Sequence, residues 1–131
     1  MSEKKKLQKE NDYQVGSGAN FTCAKFGTSS CSILAAGDDL NNMILWRLTN
    51  TKPKMTLIGQ ASPASVIEFS SSATRLFTGT VGGIVHVWDL QTAAEVVKLK
   101  GHLTTCTALA GSKTDTCIVT GSQDTKVKLW D

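Results

Sequence analysis

Few side chains in this sequence stand at spacings that could do chemistry. His102 and Cys106 lie four apart, and Cys23, Cys31 and Cys117 add three more thiols. Zinc wants three or four nitrogen and sulfur donors in patterns such as C-x-x-C, and a thiol nucleophile wants an adjacent base. No C-x-x-C occurs, so His102 is read as a core histidine and the cysteines as reduced, small core residues. Asp38 and Asp39 are adjacent carboxylates. Acid–base work needs two carboxylates aimed at one point, whereas neighbours on a turn between strands diverge. A solvated turn with Asx-type hydrogen bonds is expected there. Gly79-x-x-Gly82-Gly83 has the glycines of a phosphate loop but lacks the Lys-Ser/Thr pair and the helix that follow one. It predicts a hairpin turn with Gly83 at positive φ. His86 shares the parity of Trp88 on a strand, which predicts a structural or edge-facing role. No acid, base and nucleophile converge, so the sequence points to no enzyme, metal or cofactor.

What must position these residues is a repeat. The segment GSQDTKVKLWD at 121–131 has counterparts in GTVGGIVHVWD at 79–89 and GDDLNNMILWR at 37–47. Trp46, Trp88 and Trp130 are the only tryptophans, and each follows the last by 42 residues. Gly37, Gly79 and Gly121 keep the same interval. Each unit reads as short apolar runs cut by Gly, Ser, Thr, Asn and Pro, an all-β pattern. Strands are expected at 20–26, 32–37, 43–48 and 54–58, then at 65–70, 75–79, 84–88 and 95–99. A last set falls at 104–109, 116–121 and 126–130, with no room for a fourth strand. Residues 1–12 form a polar, charged leader, and 13–131 divide into repeats at about 13–58, 59–100 and 101–131. Tyr13, Gln14 and Val15 sit where a strand of a preceding repeat would lie. Four antiparallel strands in roughly 40 residues is the period of a propeller blade.

Composition agrees with a globular chain. In 131 residues the net charge is +3, and 40% of the side chains are hydrophobic. No apolar run approaches the roughly 18 residues that cross a bilayer. Lys4, Lys5, Lys6 and Lys9 are diluted by Glu3, Glu10 and Asp12, which argues for a solvated leader rather than a nucleic-acid arm or targeting peptide. A cytoplasmic protein is the expectation.

The motifs Gly101-His102, Thr120-Gly121-Ser122-Gln123-Asp124, Trp130-Asp131 and Trp88-Asp89 resemble those of the WD-repeat (WD40) family of β-propellers. That resemblance implies a partial all-β propeller of about three four-stranded blades, the last incomplete, acting as a non-catalytic protein-binding scaffold. It also implies a hydrogen-bonded set in each blade, here His102, Thr120, Asp124 and Trp130. The other repeats depart from it. Gln60 and Gly82 replace His and Asp in the second, leaving Thr78 and Trp88. Gly18, Ala36 and Leu40 replace His, Thr and Asp in the first, leaving Trp46. One working network out of three is therefore expected. The loop at 59–64, with Gln60 and Pro63, and the turns at 38–42, with Asp38 and Asp39, and at 81–83 are the expected partner surface.

A closer resemblance lies in Lys52-Pro53, Ser62-Pro63, the run WDLQTAAEVVKLKGH at 88–102 and GSQDTKVKLWD, with Lys6-Leu7-Gln8 fitting more loosely. These are similar to the opening blades of WD-repeat regulatory subunits of katanin, the microtubule-severing ATPase complex. Partners implied are the catalytic ATPase subunit, microtubules or their regulators, and the place of action the cytoskeleton, centrosome or spindle. The alternative is a generic WD-repeat adaptor, such as a ubiquitin-ligase substrate receptor. Closed propellers need about 4–8 blades, so a fragment is expected, its ring closed by further blades or by self-association.

Overall fold

In the computed structural model, residues 12–13, 18–27, 32–49, 52–114 and 116–131 are described. They hold eleven strands and no helix. The first sheet is β1 (Phe21–Phe26), β2 (Ile33–Asp38), β3 (Met43–Arg47) and β4 (Pro53–Leu57). The second is β5 (Ala64–Phe69), β6 (Arg75–Thr80), β7 (Val85–Asp89) and β8 (Ala94–Leu99). The third is β9 (Cys106–Gly111), β10 (Ile118–Ser122) and β11 (Val127–Trp130). Every neighbouring pair is antiparallel and joined in sequence order, so each sheet is a simple meander. The fold is the expected one: all-β, three blades, the third three-stranded. Residues 1–11 of the leader, Gln14, Val15 and Cys31 lie outside the described residues.

Strands such as VHVWD and MILWR are buried on nearly every position because their sheets have a neighbour or a chain segment on both faces. One core lies between the first two sheets, where Met43, Leu45 and Leu57 meet Ala64, Ile67, Phe69, Leu76 and Trp88. A second lies between the next two, where Val85 and Val87 meet Cys106, Leu109 and Ile118. Glycine makes the approach close. A Cβ on Gly37 would stand 3.0 Å from that of Ala64, and one on Gly79 would stand 2.6 Å from Cys106 Sγ.

Each first strand carries a bulge at the same place, at Thr22, Ser65 and Thr107. The bulged hydroxyl reaches across to the next sheet. Thr22 Oγ1 donates to Ala64 O at 2.7 Å, and Ser65 Oγ to Cys106 O. The turns after β2, β6 and β10 place Asn41, Gly83 and Thr125 at φ 68°, 89° and 74°. Glycine is required twice over at Gly83, because a Cβ there would fall 2.5 Å from His102 O.

Candidate interaction site

The antiparallel meanders bring the turns after β2, β6 and β10 to one edge of the sheets, together with the segments entering β1, β5 and β9. Polar side chains anchor that edge. In the third blade Trp130 Nε1 donates to Thr120 Oγ1 at 2.9 Å. Thr120 Oγ1 lies 2.7 Å from His102 Nε2, and His102 Nδ1 lies 2.9 Å from Asp124 Oδ2. The hydroxyl accepts from the indole, so it donates to Nε2, and Nδ1–H is left to donate to the carboxylate. Asp124 also accepts from Leu103 N and Lys126 N, both at 3.0 Å. Burial opposes ionisation of this carboxyl, but the N–H groups of Leu103 and Lys126 and the His102 ring outweigh it and lower it to about 2. The four residues named from sequence are thus brought together.

A second network exists where one was not expected. Thr78 Oγ1 donates to Gln60 Oε1 at 2.6 Å and accepts from Trp88 Nε1 at 3.1 Å, all buried. A glutamine amide reaches the same hydroxyl that an imidazole reaches in the third blade. The missing Asp is replaced by an inverted bond, in which Gly82 N donates to Ser62 Oγ at 3.0 Å. In the first blade Ala36 offers no hydroxyl, and Trp46 Nε1 is buried without an acceptor among the described residues.

Two residues expected at the partner surface are not on it. Asp38 is buried, and its Oδ1 accepts from Leu40 N and Asn42 N at 3.0 and 2.9 Å. The turn is Asx-type as expected, but this carboxylate holds it from inside rather than from solvent. Gln60 is buried by its bond to Thr78. Asp39 is exposed and accepts from Asn20 N and Nδ2, both at 3.1 Å. Pro63 is half-buried, with its carbonyl accepting from Val81 N at 2.9 Å.

The turns named from sequence on this rim carry Leu40 and Val81, but Ile58 and Leu103, just outside the named segments, were missed. Leu40, Ile58, Val81 and Leu103 are exposed there. The segments that carry Val81 and Leu103 are tied together. Thr105 Oγ1 donates to Val81 O at 3.2 Å across the second seam, and Gln123 N to Thr105 O at 3.1 Å. The signal was present at Leu40, which stands where Asp124 stands two repeats later.

His86 lies inside the fold rather than on an edge. Its ring is buried, stacks on Trp88 and meets Glu95 Oε2 through Nδ1 at 2.8 Å. Cys106 is buried, while Cys23 and Cys117 are half-buried, all as free thiols. Burial raises the thiols of Cys23 and Cys106, which disfavours a thiolate nucleophile. Both His102 nitrogens are committed to protein partners. Among the described residues no three His, Cys, Asp or Glu side chains converge as metal ligands.

With this geometry in place, the family model for the WD domain, G-beta repeat, matches residues 51–89 and 94–131. The chain belongs to the WD-repeat family. WD40 domains are typically non-catalytic scaffolds that bind other proteins. Mitochondrial division protein 1 of Eremothecium gossypii is 41% identical over 122 residues, covering 86% of this chain and 17% of that protein. The Set1 complex component swd1 of Schizosaccharomyces pombe is 37% identical over 68 residues, covering 52% of this chain and 17% of that protein. Among solved structures, that of U3-55K superposes with a TM-score of 0.80 at 20% identity, over 88% of this chain and 37% of that one. That likeness shows the WD-repeat fold alone. The chain spans under a quarter of the length of the curated relatives it matches.

Proposed function

We propose that this WD-repeat chain is a protein-interaction segment of a regulatory subunit of the type that directs the katanin microtubule-severing ATPase. The observation that carries the interaction reading is the rim. Turns held by hydrogen bonds present Leu40 next to Asp39, and Val81 and Leu103 on either side of the second seam, in solvent. Exposed apolar side chains on a fixed frame are what a protein partner buries. The narrower katanin reading is supported by the sequence runs at 88–102 and 121–131. On it, the partners are the severing ATPase subunit, microtubules or their regulators. The chain then acts in the cytoplasm, at the cytoskeleton, centrosome or spindle.

The test is retention of the severing ATPase in a pull-down, alongside co-sedimentation with microtubules. Binding that is lost in a Val81→Glu, Leu103→Glu variant supports both the partner and the rim. Binding that survives the substitutions removes the rim, and no retention of either partner removes the katanin reading. A generic WD-repeat adaptor, such as a ubiquitin-ligase substrate receptor, is the second reading. The diversity of the relatives favours it, since a mitochondrial division protein and a Set1 complex component share the same repeat.

A further inference from the structure

Among the turns after β2, β6 and β10, the one after β6 offers donors without a carboxylate to take them. In the third blade Asp124 accepts from Lys126 N and Leu103 N, both at 3.0 Å, and from the His102 ring. In the first, Asn42 N holds the place of Lys126 N and donates to Asp38 Oδ1 at 2.9 Å. In the second, Ile84 N holds that place, Ala61 N the place of Leu103 N, and Gln60 the place of His102. The acids are missing there. Thr80 stands for Asp38 and Gly82 for Asp124, and neither 58–64 nor 80–84 contains an acidic residue. Thr80 Oγ1 instead donates to Ile84 O at 2.8 Å.

The Gln60 amide has its orientation set from the other side. Thr78 Oγ1 accepts from Trp88 Nε1, so its proton goes to Gln60 Oε1. Gln60 Nε2 is buried and has no acceptor among the described residues. Ser62 does not stand in for the acid. Its hydroxyl accepts from Gly82 N at 3.0 Å and has a proton of its own to donate. Backbone N–H groups gathered at a turn, joined by a hydroxyl and an amide nitrogen, make a concavity that favours a carboxylate. Ala61 and Gly82 are exposed and Ser62 is half-buried, so the place is open to solvent. Val81 adjoins Gly82, and Leu103 follows His102, whose carbonyl packs against Gly83. The two apolar side chains beside this turn are 48 and 80% exposed.

We propose that the second blade takes its carboxylate from a partner protein. An aspartate or glutamate side chain of that partner accepts from Ala61 N, Ile84 N, Ser62 Oγ and Gln60 Nε2, while apolar residues next to it cover Val81 and Leu103. This rests on the rim being an interaction surface, and it gives the partner a chemistry: an acidic residue flanked by apolar ones.

Amide NMR on the isotope-labelled 131-residue chain tests the site by itself. Sodium acetate, compared with sodium chloride at equal ionic strength, is expected to move the Ala61 and Ile84 N–H and the Gln60 side-chain resonances downfield and to saturate. A Ser62→Ala, Gly82→Asp variant supplies the carboxylate from within the chain. Its Ile84 resonance is expected to start at the shifted position, and acetate to move it no further. Thr78, Gln60 and Trp88 are untouched in this variant, and parent-like resonances elsewhere show that the fold is kept. Capped Leu-Glu-Leu and Leu-Gln-Leu peptides then read the source of the carboxylate. The first is expected to bind at least about tenfold tighter than acetate, and the second at least about tenfold weaker than the first. Acetate that acts no differently from chloride overturns the site and leaves these donors to water. Acetate that binds as tightly as the Leu-Glu-Leu peptide assigns the site to a free small carboxylate and overturns the partner side chain. In the pull-down, a partner kept by the Ser62→Ala, Gly82→Asp variant but lost by Val81→Glu, Leu103→Glu also overturns the proposal, while leaving the rim as the interaction surface.

Discussion

At the scale of single residues, the three blades form a natural substitution series around one hydroxyl. Thr120 is bound by an indole and an imidazole, Thr78 by an indole and an amide, and Ala36 has no hydroxyl to offer. Thr120→Val leaves the indole and imidazole nitrogens without partners. It is expected to cost about 1–3 kcal/mol in urea unfolding, the range for an orphaned buried polar group. Ala36→Thr supplies the acceptor that Trp46 Nε1 lacks and is expected to add about 0.5–1.5 kcal/mol in the same assay. Acid provides the third test. The Asp124 carboxyl is held at about 2 in the folded state against an ordinary 3.8. A depressed acid contributes stability that is present above its unfolded value and lost as pH falls through the folded one. The stability deficit of Asp124→Asn relative to the parent is therefore expected to be full at pH 7 and to shrink between about pH 4 and 2.

At the scale of strands and turns, spacing in the sequence carried most of the pattern. Glycines at 37, 79 and 121 and tryptophans at 46, 88 and 130 marked the second and third strand of every blade, and those strands fall within a residue or two of the places they predict. The glycines are not equivalent in the fold, however. Gly79→Ala drives a methyl into Cys106 and Val66 and is expected to cost about 1–3 kcal/mol by overpacking. Gly121→Ala meets only the Ala108 methyl, at an ordinary 3.5 Å, and is expected to leave the thermal midpoint unchanged or slightly raised, since Ala is the better strand residue. The sequence did not reveal that Gln60 could stand in for histidine, because only reach and direction decide which amide or ring meets a hydroxyl. The same limit hid the burial of Asp38. An Asx turn in solvent and one tucked under its own loop are written with the same residues.

At the scale of the whole molecule, the middle sheet is shared by both cores. Its Leu76 and Trp88 complete the first seam, while Val85 and Val87 complete the second. Damage to it is therefore felt on both sides. Leu76→Ala is expected to cost about 2–5 kcal/mol. Tryptophan fluorescence and far-ultraviolet circular dichroism are expected to report one coincident transition in parent and variant alike. Two separated transitions would show that the seams fail independently. The rim is likewise a property of the assembled sheets. Val81 and Leu103 come from different blades and share an edge only because Thr105 ties the two turns.

The sequence by itself determined the repeat and the strand order, which follow from residue types recurring at a fixed interval. Its resemblance to the WD-repeat family implied the four-residue network of the third blade. Tertiary structure decided which echoes of that network survive, which carboxylate faces water and which apolar side chains are left uncovered at the rim. Those outcomes depend on what packs against each position from another sheet. Two positions with the same place in the repeat, such as Val85 and Val127, are alike in sequence and opposite in exposure, because burial comes from the neighbour and not from the residue itself.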